Sequence, residues 1–121
     1  MGNLGEVIDE MMKIDGTLGA AILDLESGMP LAANGNGVFD MDVTSAGALD
    51  VVRAWNKAAG QTDRRDGVEN VVGIYPETIA FVRCLDGRND GLAMMLLLER
   101  KNANQALANH HLKRLSEQIQ L

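Results

Sequence analysis

His110 and His111 stand side by side in the sequence. On a helix, adjacent residues point about 100° apart, whereas a metal-binding pair sits three or four positions apart. The pair therefore reads as solvated or helix-end histidines, and nothing nearby in sequence nominates either as a general base. Cys84 is the single cysteine. Its apolar context of Phe81, Val82 and Leu85 reads as inert core packing rather than as the setting of a nucleophile. Asp24 and Glu26 flank one turn and Asp40 and Asp42 flank a helix start, where capping and solvation account for all four carboxylates. Ser27, Ser45 and Ser116 lack the strand-turn-helix setting of a nucleophile elbow. Gly35-Asn36-Gly37 lacks the third glycine of a dinucleotide loop and the lysine of a phosphate-binding loop, which leaves a turn. No catalytic constellation emerges, and the expectation is a protein that is not an enzyme and has no cofactor or metal.

A chain without such a toolkit acts through its surface, and composition limits what that surface attracts. With 121 residues, 46% of them hydrophobic and 23% charged, the sequence reads as one globular domain over 1–121. A net charge of -6 disfavours phosphate backbones and anionic lipid, and Arg64-Arg65 is neutralised locally by Asp63 and Asp66. Nucleic acid and membrane are thus not expected partners. The longest apolar run, Leu92 to Leu98, is far below the roughly 18 residues of a spanning helix. No leader is visible, and a lone cysteine suits a reducing compartment, so a cytoplasmic location is expected. Aromatic residues make up only 3%, with Trp55 and Tyr75 the ones carrying a polar handle.

Periodicity supplies the elements. Leu4, Val7, Ile8, Met11 and Ile14 share one face of a helix that ends near Asp15-Gly16. Leu18 to Leu25 and Met29 to Ala33 form a hairpin around Glu26-Ser27-Gly28, and Asn34 to Gly37 is a turn-rich loop. Asp40 or Asp42 caps a helix running to about Ala59 and closed by Gly60. Gln61 to Gly67 reads as an exposed polar loop. Val68 to Tyr75 and Thr78 to Leu85 are strands joined at Pro76-Glu77, and Asp86 to Gly91 turns the chain into Leu92 to Leu98, apolar on both alternating sets of side chains. A last helix over Ala103 to Ile119 carries Ala108, Leu112, Leu115 and Ile119 on one side. The predicted class is α/β (α+β), a five-stranded antiparallel sheet with helices on both faces in the order α-β-β-α-β-β-β-α.

The middle helix is apolar over more than one face. Met41, Ala48, Val52, Trp55 and Ala59 make a seam suited to the chain's own sheet. Gly47, Val51, Ala54 and Ala58 make a second, narrow seam whose small residues permit close approach of another helix. A loop of the same chain or a symmetry mate would satisfy it. The mate is the better fit, because a five-stranded sheet has two edges that need protection or pairing, and Glu69 to Tyr75, with Val71, Val72 and Gly73 at its centre, is a candidate edge.

The element order, together with the run Leu18-Gly19-Ala20-Ala21-Ile22-Leu23-Asp24-Leu25-Glu26-Ser27-Gly28-Met29-Pro30-Leu31-Ala32, resembles the roadblock family of dynein light chains and bacterial GTPase regulators. There a small-residue strand, an Asp, a turn with Gly and a returning apolar strand are typical. Glu26-Ser27-Gly28 varies on the more usual acidic-Gly turn, and Gln61 to Gly67 is expected to have no counterpart. The resemblance implies a profilin-like roadblock fold and a homodimer whose sheets join edge to edge, with the middle helices meeting across the twofold axis. It further implies a scaffold or regulator of a small Ras-like GTPase, without a cofactor of its own. The alternative is a small-ligand sensor of related helix-sheet-helix architecture, with Trp55 and Tyr75 lining a pocket.

Overall fold

A strand that is apolar on both sides belongs in the middle of a sheet covered on both faces. In the computed structural model, which describes residues 2–62 and 67–121, that strand is β5 (Leu92–Glu99), buried from Leu92 to Leu98. Around it stand β1 (Thr17–Asp24) and β2 (Pro30–Asn34) on one side, and β4 (Thr78–Cys84) and β3 (Asn70–Ile74) on the other. The order β2-β1-β5-β4-β3 is antiparallel throughout. Three helices, α1 (Leu4–Met12), α2 (Met41–Gln61) and α3 (Gln105–Ser116), complete the predicted order, with short 3-10 turns at Gly87–Asn89 and Arg100–Asn102.

Alternation along the strands divides the core into two layers. Leu92, Met94, Leu96 and Leu98 face α1 and α3, where Met11, Leu112 and Ile119 are fully enclosed. The predicted seam Ala108, Leu112, Leu115 and Ile119 is buried throughout, although the helix itself ends at Ser116 and Ile119 lies beyond it. Asn104 starts that helix by accepting a hydrogen bond from the Leu107 N–H at 3.0 Å, so Ala103 is outside it. Ala93, Met95 and Leu97 face α2 and pack with Met41, Ala48 and Val52.

Two further boundaries differ from the periodicity reading. The first helix stops at Met12, and Ile14 is reached through a turn in which its N–H donates to the Met11 carbonyl. Gly60 does not close α2, which continues to Gln61, because an isolated glycine weakens a helix without forcing its end. The polar loop expected at Gln61 to Gly67 falls mostly on residues 63–66, outside the described residues.

The side assigned to the sheet also needs correction. Trp55 is 55% exposed, and Leu49, absent from the predicted seam, is buried at 6%. The reason lies in the β1–β2 turn. Gly28 adopts φ +76 and is buried, and a Cβ on it would meet Leu49 Cδ2 at 2.9 Å, so the turn presses against one flank of α2. Arg53 reinforces the contact by donating from Nη2 to the Glu26 carbonyl at 3.1 Å. The inward face of α2 is accordingly rotated towards Ser45, Leu49 and Val52, and Trp55 is left on the outer surface.

Candidate functional site: the open groove beside α2

The residues of reactive type remain scattered. His110 is exposed on α3, and His111 Nδ1 lies 3.4 Å from Arg114 Nη2. Ser27 donates to the Asp24 carboxylate at 3.1 Å, and Ser116 donates to the Lys113 carbonyl at 2.6 Å, so both hydroxyls are engaged locally. Ser45 is fully enclosed, and its hydroxyl has no hydrogen-bond partner among the described residues. Asp40 caps α2, accepting from Asp42 N and Val43 N at 3.1 and 3.3 Å. Asn36 (φ 54) and Gly37 (φ 73) shape the loop after β2, with the Asn34 side chain accepting from Asn36 N at 2.8 Å. Burial pushes the Cys84 thiol above its ordinary range, which lowers the thiolate population and agrees with a packing role. Among the described residues, no group of three or more His, Cys, Asp or Glu side chains is placed to hold a metal ion.

What the fold does assemble is an apolar groove. With the β1–β2 turn holding α2 over β1 and β2, Val82 of β4 is still buried against α2, and the part of the same face beyond it, Ala80 of β4 with Val71 and Gly73 of β3, is only half-buried among the described residues. The opening, about 370 Å3, has Gly47 and Val51 of α2 as one wall, Ala80 and Val82 of β4 in its floor and Val71 and Gly73 of β3 at its outer margin. Tyr75 closes one end. Its ring lies against Gly73, with Cε2 3.4 Å from where a Cβ would be, the distance of an ordinary van der Waals contact.

Beyond the groove lies the unpaired edge of the sheet. In an antiparallel ladder, alternate residues turn their N–H and C=O towards the neighbouring strand. Cys84 N donates to the Glu69 carbonyl and Tyr75 N to the Thr78 carbonyl, both at 2.8 Å, so the odd-numbered residues of β3 face β4. Asn70, Val72 and Ile74 aim theirs outward, where no strand among the described residues pairs them. The opposite edge is treated differently. β2 opens with Pro30, which has no N–H, is irregular against β1 at Ile22/Leu23, and has α1 alongside.

The structure thus brings four of the residues singled out from sequence, Gly47, Val51, Val71 and Gly73, to one groove. Val72 lies on the same edge, but its side chain joins the opposite face, across from Phe81. Ala54 is exposed and Ala58 half-buried further along α2, outside the groove lining. Tyr75, singled out from sequence as a pocket-lining residue of the ligand-sensor alternative, also lines it, together with Thr44, Ala80 and Val82, which were not picked out as contributors. Alternation along Thr78 to Cys84 assigns Ala80 and Val82 to one face, but it carries no sign of where the cover of that face ends.

No family model matches the chain, and no curated protein matches it in sequence. Solved structures do match in shape. A Roadblock/LC7 domain from Streptomyces avermitilis superposes with a TM-score of 0.81 at 19% identity, covering 96% of this chain and 93% of that one. MglB of Myxococcus xanthus gives 0.79 at 13% identity over 94% of this chain and 89% of its own. The gliding protein MglB of Thermus thermophilus gives 0.76 at 18% identity, over 93% and 82%. With this element order, and with α1 and α3 on one face and α2 on the other, the chain has the roadblock fold.

Proposed function

We propose that the chain acts as one roadblock-like unit over 1–121, a non-enzymatic homodimer that works in the cytoplasm as a regulator or scaffold for a protein partner. The observation that carries this reading is the continuity of the open groove with an uncharged, proline-free edge strand. An apolar hollow and a row of unpaired backbone groups side by side are costly to leave in water, and a twofold copy covers both at once. A solved MglB with a tetrameric arrangement also has this shape, at a TM-score of 0.76 and 17% identity. The resemblance to the roadblock family favours a small Ras-like GTPase as the partner. In that case the nucleotide chemistry belongs to the GTPase, and the dimer acts by holding its switch loops. A net charge of -6 favours protein over nucleic acid or anionic lipid. For the ligand-sensor alternative, Tyr75 lines the groove but Trp55 does not.

Light scattering across the micromolar range, with Val51→Arg beside the unaltered chain, tests the assembly. The unaltered chain is expected as a dimer, and the variant as a folded monomer with unchanged circular dichroism. A dimer indifferent to that charge sinks the groove as the interface. Titration against the Ras-like GTPases of the same host, loaded with GDP or a GTP analogue, tests the partner. Binding that differs between nucleotide states is the expected result.

A further inference from the structure

The turn Asn34-Gly35-Asn36-Gly37 holds two asparagine-glycine bonds, and the proposed interface uses neither. Such a bond is chemically weak, because glycine has no side chain to shield its backbone nitrogen from the asparagine amide before it. We infer that the fold selects Asn36 over Asn34 as a site of spontaneous backbone modification, where the chain converts its own side-chain amide into aspartate and isoaspartate.

The step closes a five-membered ring. The Gly37 nitrogen attacks Cγ of Asn36, an N–Cγ bond forms and the Cγ–Nδ2 bond breaks. Ammonia leaves with the proton that Gly37 gave up, and a succinimide remains. Solvent water then opens the ring. Addition at Cγ gives aspartate, and addition at the former backbone carbonyl gives isoaspartate, in which the chain runs through Cβ.

The attacking nitrogen and the amide must be free to meet, and the fold treats the two bonds oppositely. Asn34 ends β2 opposite Ala20 of β1, and its Oδ1 accepts from Asn36 N at 2.8 Å, which fixes the side chain. Gly35 is enclosed: a Cβ on it would collide with the Phe39 carbonyl, and its own carbonyl accepts from Val38 N and Phe39 N, both at 3.0 Å. At Asn36 these restraints are missing. The residue is exposed at φ 54, and its side chain has no hydrogen-bond partner among the described residues. Gly37 is exposed as well, with open space where a Cβ would be and no partner for its N–H among the described residues.

The product bears on α2. The loop that Val38 and Phe39 close on the Gly35 carbonyl leads into Asp40, the cap of that helix. Isoaspartate at position 36 adds a methylene to the backbone of this loop and a negative charge, so both hydrogen bonds to Gly35 are expected to open.

Ageing the full chain in mildly alkaline buffer, followed by peptide mapping with electron-transfer mass spectrometry, tests the site. Asn36 is expected to convert at least about tenfold faster than Asn34. In urea the two rates are expected to come within about twofold of each other, because the fold no longer separates them. Equal rates in the native chain, or faster loss of Asn34, overturn the inference. A native ratio that survives urea overturns it too, since the selection would then lie outside the fold. The effect on the loop is read by amide exchange on the isoaspartate form, isolated by ion exchange, beside Asn36→Asp, which adds the charge without the methylene. Faster exchange at Val38 and Phe39 in the isoaspartate form alone is expected, and unchanged exchange at both overturns the effect on the loop.

Discussion

The two faces of the sheet are built from the same strands and finished differently. Towards α1 and α3, the side chains of β5, β4 and β1 are enclosed by two helices and the segment leading to Ile119. That segment is held by Asn3, which donates to the Gln118 carbonyl at 2.6 Å and accepts from Gln120 N at 2.7 Å. Towards α2, one helix covers the sheet from β2 as far as Val82 of β4, and the margin at Ala80, Val71 and Gly73 is only half-buried among the described residues. A face closed by its own chain contributes to folding, whereas one left partly open holds its apolar surface for association. Substitutions on the two faces should therefore separate stability from assembly.

The largest expected effect is on the closed face. Leu112 is fully enclosed, and Leu112→Ala is expected to cost about 3 kcal/mol in urea unfolding with an unchanged slope. A loss under 1 kcal/mol would mean that this layer collapses around the gap. Next comes the turn that displaces α2. Gly28→Ala forces a side chain into a left-handed backbone and towards Leu49, with an expected loss of about 1–2 kcal/mol. The same variant should let α2 shift and change the groove, read as altered amide shifts at Gly47 and Val51.

Ala54→Arg sharpens the contrast from the other side. It adds a charge to an exposed position of the second seam, so monomer stability should move by no more than about 0.5 kcal/mol. Dimer affinity, in contrast, should fall at least about tenfold by analytical ultracentrifugation. Equal losses in both measurements would erase the distinction between the faces. The smallest effect concerns Ser45, whose enclosed hydroxyl has no partner among the described residues. Ser45→Ala removes a polar group whose burial is uncompensated, and a gain of up to about 1 kcal/mol is expected by thermal unfolding. A clear loss would reveal a hydrogen bond or water at that hydroxyl.

Much of this architecture was legible in the chain. The doubly apolar run from Leu92 to Leu98 called for cover on both faces, and its residues are buried, while the spacing of Ala108, Leu112, Leu115 and Ile119 named a buried seam residue by residue. Gly28 in a polar turn predicted the positive φ that it adopts. Trp55 went astray for an instructive reason. A helical wheel shows which residues share a side, but the direction of that side is set by what lies beneath, here a turn pressing on Leu49. The groove was half visible: Gly47 and Val51 stood out as unsatisfied small and apolar positions, while Ala80 and Val82 looked like ordinary strand residues.

Local chemistry is written along the chain, because turn glycines, caps and hydrophobic periods act over a few residues. Those signals determined the number, kind and order of the elements, and the absence of a sequence motif for catalysis. Strand neighbours, the rotation of α2 and the half-buried margin of one sheet face depend on contacts between residues far apart in sequence. Only the packed structure decided them, since no short stretch of sequence records which surface another stretch will cover.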